Sequence, residues 1–236
     1  MFKRIANDTA RTALGAVLAG TLFGLSACAS SPRTMDDTQS RIDAAQTTLS
    51  NFTHDPDMTW FRNHVGDARA VLISPQIVQA GFIVGGSGGP AVVIARNRSG
   101  TAWNGPAFYR LASGSIGLQA GAQSSEMVAL VMTDKALNSL LSTTFKLGGD
   151  VSVAAGPVGA GTGAPVTADM IVYTRSKGLY GGVNVEGTVI EVDDGRNRAY
   201  YGQAATPVDI LVTRSVSNPA GAPLAQAVAS AVRSGR

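Results

Sequence analysis

Ala80-Gly-Phe-Ile-Val-Gly-Gly-Ser-Gly-Gly-Pro-Ala-Val-Val-Ile-Ala95 sets two short apolar segments, Ala80–Gly86 and Ala91–Ala95, on either side of Ser87-Gly88-Gly89-Pro90. Short apolar runs rich in β-branched residues and bounded by Gly and Pro read as strands joined by a turn. The same texture fills the chain from Ala70 onward, and 28 of the 236 residues are glycine. Met127–Met132 (MVALVM) is continuously apolar, as expected of a strand covered on both faces. Asp134 is placed to cap a short helix through Leu141, with Ala136, Leu137, Leu140 and Leu141 as its apolar stripe. Further on, Val183, Val185 and Val189 alternate with Asn184, Glu186 and Thr188, the period of a half-buried strand. Asp193-Asp194-Gly195 reads as a turn, and Tyr200-Tyr201 as the opening of another strand. Many strands and few helices predict an α+β fold: a glycine-rich, largely antiparallel β-sheet or partial barrel with a few packed helices.

Helical spacing shows at both ends of this domain. Over Asp36–Phe52, Ile42, Ala45, Leu49 and Phe52 form an apolar stripe, with Asp36 and Asp37 at the positive end of the dipole. The polar face carries Asp36, Asp37 and Asp43 against Arg41 alone, whereas a helix built to lie on anionic lipid is rich in Lys and Arg. Docking on the domain is therefore expected. After Pro219 and Pro223, Leu224, Val228 and Val232 predict a short terminal helix.

The N-terminus has a different character. Lys3, Arg4 and Arg11 precede an apolar stretch, Thr12–Leu25, that ends in Leu25-Ser26-Ala27-Cys28. A basic start and a short apolar run mark a secretory signal, and about 14 residues fall short of the roughly 20 that span a bilayer. Small residues before Cys28 resemble the lipoprotein signal, so Cys28 is the expected site of lipid attachment and palmitate-type acylation. The expected organisation is a signal peptide at 1–27, an acylated cysteine and flexible tether at 28–35, a folded domain at 36–214, and a C-terminal tail or short helix at 215–236. Ala29 in place of aspartate after the cysteine favours the outer membrane, facing the periplasm. The signal holds Lys3, Arg4, Arg11 and Asp8 of the chain's 19 Lys and Arg and 16 Asp and Glu, so the remainder is almost neutral. No electrostatic case for nucleic acid remains. With the one cysteine acylated, no thiol is left for a disulfide or a metal.

The segments Ala80–Gly86, Trp103–Tyr109, Gly114–Gly121, Leu147–Gly159, Tyr173–Tyr180 and Tyr201-Gly202 together resemble the SYLF lipid-binding domain, over roughly residues 60–203. That resemblance implies a non-catalytic, β-rich domain that binds phospholipid or phosphoinositide-like headgroups, with no cofactor. Family members that bind phosphoinositides use a basic amphipathic segment ahead of the core. The matching stretch here, Thr59–Ala70, offers Arg62, His64 and Arg69 against Asp67. The alternative is a structural or protein-interaction module of the cell envelope, with an envelope protein as partner.

Motifs suggestive of catalysis do not assemble. Gly85-Gly-Ser-Gly-Gly89 matches a nucleophile elbow, yet Pro90 and a β-branched run follow where a helix is needed, and both His54 and His64 lie upstream. Gly159-Ala-Gly-Thr-Gly-Ala164 resembles a dinucleotide loop but is followed by Pro165 and Val166. His54, Asp55, Asp57 and His64 fit no metal-ligand spacing. The expectation is no enzyme and no metal. Candidate lipid-binding residues are Arg62, Arg69, Arg96, Arg98, Arg175, Lys177 and Trp103: the cations for phosphate, the indole for the interface. Phe108 and Tyr109 suit either the interface or the core.

Overall fold

A computed structural model describes residues 34–81, 84–116, 121–159, 167–176 and 185–235. The signal peptide, Cys28, all but the end of the tether, the loop at 160–166, Val183, Asn184 and Lys177 lie outside the described residues. Helix α1 spans Met35–His54, α2 Thr59–His64, α3 Asp134–Leu141, α4 Asp194–Tyr201 and α5 Ala222–Ser234. The strands are β1 Ala70–Gly81, β2 Val84–Arg96, β3 Trp103–Ile116, β4 Gly121–Val131, β5 Thr144–Lys146, β6 Val153–Ala155, β7 Met170–Ser176 and β8 Val189–Val192. They form one sheet in the order β5-β8-β3-β2-β1-β4-β7-β6. All pairings are antiparallel except β6 with β7. The edge strands β5 and β6 are consecutive in the chain and linked through a Leu147–Val151 bridge, so the sheet curls back toward itself as a half-barrel.

Both faces of the sheet are covered. Ala70 and Leu72 of β1, Met127, Ala129 and Val131 of β4, and Tyr109 and Leu111 of β3 pack inside the curl with α3 and with Ile210 and Leu211. Val71 and Ile73, Val128 and Leu130, and Phe108 face outward, beneath α1, α2, α5 and Tyr200. A strand buried on both sides needs no polar alternation, which is why MVALVM is unbroken. Phe108 and Tyr109 are both core residues, one on each face. Helix α1 docks as expected, burying Ile42, Ala45, Leu49 and Phe52, the three larger side chains contributing about 1.5–3 kcal/mol each. The C-terminal helix also forms, burying Leu224, Val228 and Val232.

Four local expectations are corrected. Ser87–Pro90 is not a turn: β2 runs through it from Val84 to Arg96. Thr133, not Asp134, caps α3, its hydroxyl accepting from the Ala136 N–H at 3.2 Å. Val185–Thr188 is a turn, with Gly187 at φ 80° and the Thr188 N–H bonded to the Val185 carbonyl, and the strand begins only at Val189. Asp193 starts a helix instead of a turn, its carboxylate accepting from the Arg196 N–H at 3.1 Å, so Tyr200 and Tyr201 close α4 where a strand was expected to open. From α4 the Asn197 side chain accepts from the Phe108 N–H at 2.9 Å and donates to its carbonyl at 3.3 Å, satisfying buried backbone of β3 where β8 has ended.

Asp169 clips β7 to its surroundings. Its carboxylate accepts from the Ser152 N–H and hydroxyl, both at 2.9 Å, from Thr133 at 2.7 Å and from Lys135 at 3.2 Å. These bonds, the Ser152 N–H first, hold its pKa well below the usual carboxylate range. A carboxylate with a depressed folded pKa stabilises the fold above its unfolded pKa, near 3.9, and that contribution is lost as pH falls through the lower folded value. Asp169→Asn is therefore expected to lower Tm at neutral pH yet to lose less further stability below about pH 4. Parallel Tm–pH curves for variant and parent would contradict this.

Candidate lipid-contact surface

Five of the sequence candidates gather where β1 begins and β2 ends. Arg96 closes β2 opposite Trp103, with its guanidinium carbon 4.8 Å from the centre of the indole ring. It also donates to the Gly66 carbonyl at 2.6 Å, to Gly100 at 3.2 Å and to Ala68 at 3.3 Å. Arg62 donates to the Asp55 and Pro56 carbonyls and to the Thr59 hydroxyl, bracing the start of α2. Arg69 pairs with Asp134 at 3.2 Å, both largely exposed, a contact worth under about 1 kcal/mol. Arg98 lies past the end of β2, exposed in the turn Asn97–Thr101, so strand spacing does not align it with Arg96.

Arg175 lies apart from these, on β7 beside Glu126 of β4 at 4.0 Å. The Glu126 carboxylate accepts from Thr48 at 2.9 Å and Asn51 at 3.1 Å, tying α1 to the sheet. A guanidinium already bonded to carbonyls has fewer of its five N–H donors, and less freedom to reorient, for gripping a phosphate. Arg62 and Arg96 are therefore braces first, and the cationic cover of this face is thinner than its arginine count implies.

The opposite end of the sheet carries a feature that reading for cations missed. No charged residue occurs from Ile77 to Ala95 or from Leu111 to Ser125. These stretches hold the far halves of β1–β4. Their inner face is a belt of neutral hydrogen-bonding groups: Ser87 with Ser113 at 2.8 Å, Ser125 with Ser176 at 2.7 Å, and Gln123 donating to Ser176 at 2.5 Å. Gln79 stands in register with both Ser87 and Gln123. On the outer face, beyond the Glu126 contact with α1, Val78, Ala80, Gly86, Ala112 and Gly114 are exposed, Val78 at 45 %. The missing charge was visible in the sequence; its concentration at one end of the sheet was not.

Ser87 sits mid-strand in this belt and not on a strand-to-helix elbow. His64 stacks on Trp60 with ring centres 3.8 Å apart, and His54 bonds to the Ser50 carbonyl at the end of α1. Among the described residues no three metal-ligating side chains gather. Burial raises the Tyr200 phenol to about 12 and those of Tyr109, Tyr173 and Tyr201 further still, so all four remain neutral hydrogen-bonding or packing groups.

Residues 112–231 match the Ysc84 family, described as Las17-binding protein actin regulator. Protein YSC84 of Saccharomyces cerevisiae is 35% identical over 155 residues, covering 63% of this chain and 33% of that protein. LAS seventeen-binding protein 3 from the same yeast is 36% identical over 155 residues, with 63% and 34% covered. The human SH3 domain-containing YSC84-like protein 1 is 31% identical over 140 residues, with 57% and 41% covered. The chain thus spans about a third of the length of the yeast relatives it matches.

Proposed function

The chain belongs to the Ysc84 family of actin regulators, the family of the SYLF domain, and we propose that it is a non-catalytic lipoprotein whose SYLF domain binds membrane phospholipid. Cys28 carries this reading: it closes an apolar run too short to span a bilayer and supplies the thiol for acylation. The acyl chains hold the protein at the outer membrane, facing the periplasm, and the domain adds a second, weaker contact. Two-signal attachment of this kind is the usual route to stable anchoring.

Flotation of the compact segment Arg33–Arg236 with vesicles tests the domain without its anchor. Co-flotation with phosphatidylcholine, phosphatidylethanolamine or phosphatidylglycerol mixtures is expected. Because Arg62 and Arg96 bond to carbonyls and Arg69 and Arg175 face carboxylates, a tenfold rise in salt is expected to change the bound fraction less than about twofold. Recovery of all the protein from the bottom fraction in every mixture would sink lipid binding. The name of LAS seventeen-binding protein 3 speaks of a protein partner for that relative, and such a result would favour a protein-interaction module of the envelope.

A further inference from the structure

We propose that the charge-free end of β1–β4 is a membrane wedge that enters the headgroup layer and the outermost hydrocarbon of the membrane to which the lipid on Cys28 attaches the chain. The proposal rests on the lipoprotein reading and names the surface with which the domain touches lipid.

The register brings four strands to one level: Gly81 is opposite both Gly85 and Gly121, and Val84 is opposite Ile116. Ile77 and Leu111 are the last core residues of β1 and β3. From Ile77 to Gly81 the ribbon therefore overhangs the core by about 13 Å, at roughly 3.3 Å per residue. A headgroup layer is about 5–8 Å thick, so the overhang crosses it. A single Lys, Arg or Asp is costly to carry into hydrocarbon, and no charged residue lies in these stretches. Glycine, alanine and serine keep the wedge thin, and the hydroxyls and amides at its base suit ester carbonyls and phosphate oxygens.

Backbone limits the depth. Among the described residues, β3 has a second neighbour only over Tyr109–Ala112, and β4 only from Ser125 onward. Unpaired N–H and C=O groups have no water to bond in hydrocarbon, so the ribbon stops near the interface. The start of the folded domain lies near the root of the ribbon. The first turn of α1 is tied through Asp37 to Arg196 of α4, and α4 is bonded to β3 at Phe108, close to where the ribbon leaves the core.

The test uses the acylated full chain reconstituted in phosphatidylcholine vesicles. Acylation blocks Cys28, so Gly114→Cys takes a single environment-sensitive dye, at a position where an added Cβ meets nothing within 4 Å. Arg98→Cys is the control at the opposite end. Lipids with a quencher on the upper acyl chain are expected to lower emission at least about twofold at 114 and to leave 98 unchanged. With the dye at Ala80→Cys, adding Gly114→Asp is expected to abolish most of that quenching. Equal, weak quenching at 114 and 98 in protein that floats would overturn the wedge and leave the anchor standing. Emission loss that tracks protein density instead of quencher would assign this end to a second copy and overturn it equally. A reactive thiol at Cys28 in the unlabelled chain would refute the lipoprotein reading, and the wedge with it.

Discussion

Gly89→Ala is expected to destabilise the protein by about 3 kcal/mol, the upper part of the range for overpacking a tight interior. Pro75 lies in β1, a central strand of the sheet, where a residue without an N–H cannot complete the ladder. The strand responds with a bulge: pairing with β2 shifts by one residue between Ile73 and Val78, and pairing with β4 shifts between Ser74 and Ile77. The bulge brings the Gln76 carbonyl against Gly89, where an added Cβ would lie 1.9 Å from that oxygen and 3.1 Å from the Ile77 Cα. Both are backbone atoms, so no side-chain rotation relieves the clash. Ser74 pins the same spot from the other side by donating to the Pro90 carbonyl at 2.7 Å. The glycines of β2 should therefore grade in sensitivity. Gly88, whose Cβ would meet the Leu111 carbonyl at 2.9 Å, should cost about 1 kcal/mol, and Gly86, at 3.4 Å from the Ser113 carbonyl, close to nothing. Urea unfolding of the three alanine variants measures the order, and equal midpoints at positions 86 and 89 would refute it.

The same bulge explains why Ser87–Pro90 misleads as a sequence. Glycine serves a chain reversal and a close backbone approach equally well, and what distinguishes them here is Pro75, remote in the chain and adjacent only in the fold. Asp193 misleads for a related reason, since one short carboxylate can close a turn or cap a helix, and only the burial of Tyr200 on the outer face decides. The elements that were legible are those set by period. The Ile42–Phe52 stripe and MVALVM announce which surfaces they bury without reference to a distant partner. The lipid-contact candidates were legible as charge but not as geometry, because Arg62 and Arg96 are occupied by carbonyl groups that any residue type could have supplied. The absence of charge over Ile77–Ala95 was equally plain, but it acquires meaning only when the register sets it beside Leu111–Ser125.

Asp193→Ala is expected to cost about 3–5 kcal/mol, because it breaks a buried ion network and removes a helix cap together. The Asp193 side chain is 1% exposed and lies 2.6 Å from the Arg196 guanidinium, with Arg110 at 3.8 Å. Arg196, 12% exposed, also reaches Asp37 in the first turn of α1 at 3.1 Å. Without Asp193 that guanidinium keeps, among the described residues, the Asp37 carboxylate alone, in a setting too dry to solvate the remainder of its charge. Asp193→Asn keeps a capping acceptor for the Arg196 N–H and loses only the charge, so it should fall between the variant and the parent. Arg196→Met combined with Asp193→Asn should recover much of the loss, since two neutral groups of similar size leave no buried charge unpaired. The consequence extends to the end of the domain where the tether joins. Asp37 sits three residues past Thr34, where the tether enters the fold, and Arg196 is its link to the body of the domain. Hydrogen exchange in Asp37–Arg41 is therefore expected to rise more in Asp193→Ala than in Gly89→Ala at matched global stability. Equal exchange in the two would mean that the network stabilises the core without holding the start of α1, the point from which the anchor is proposed to act.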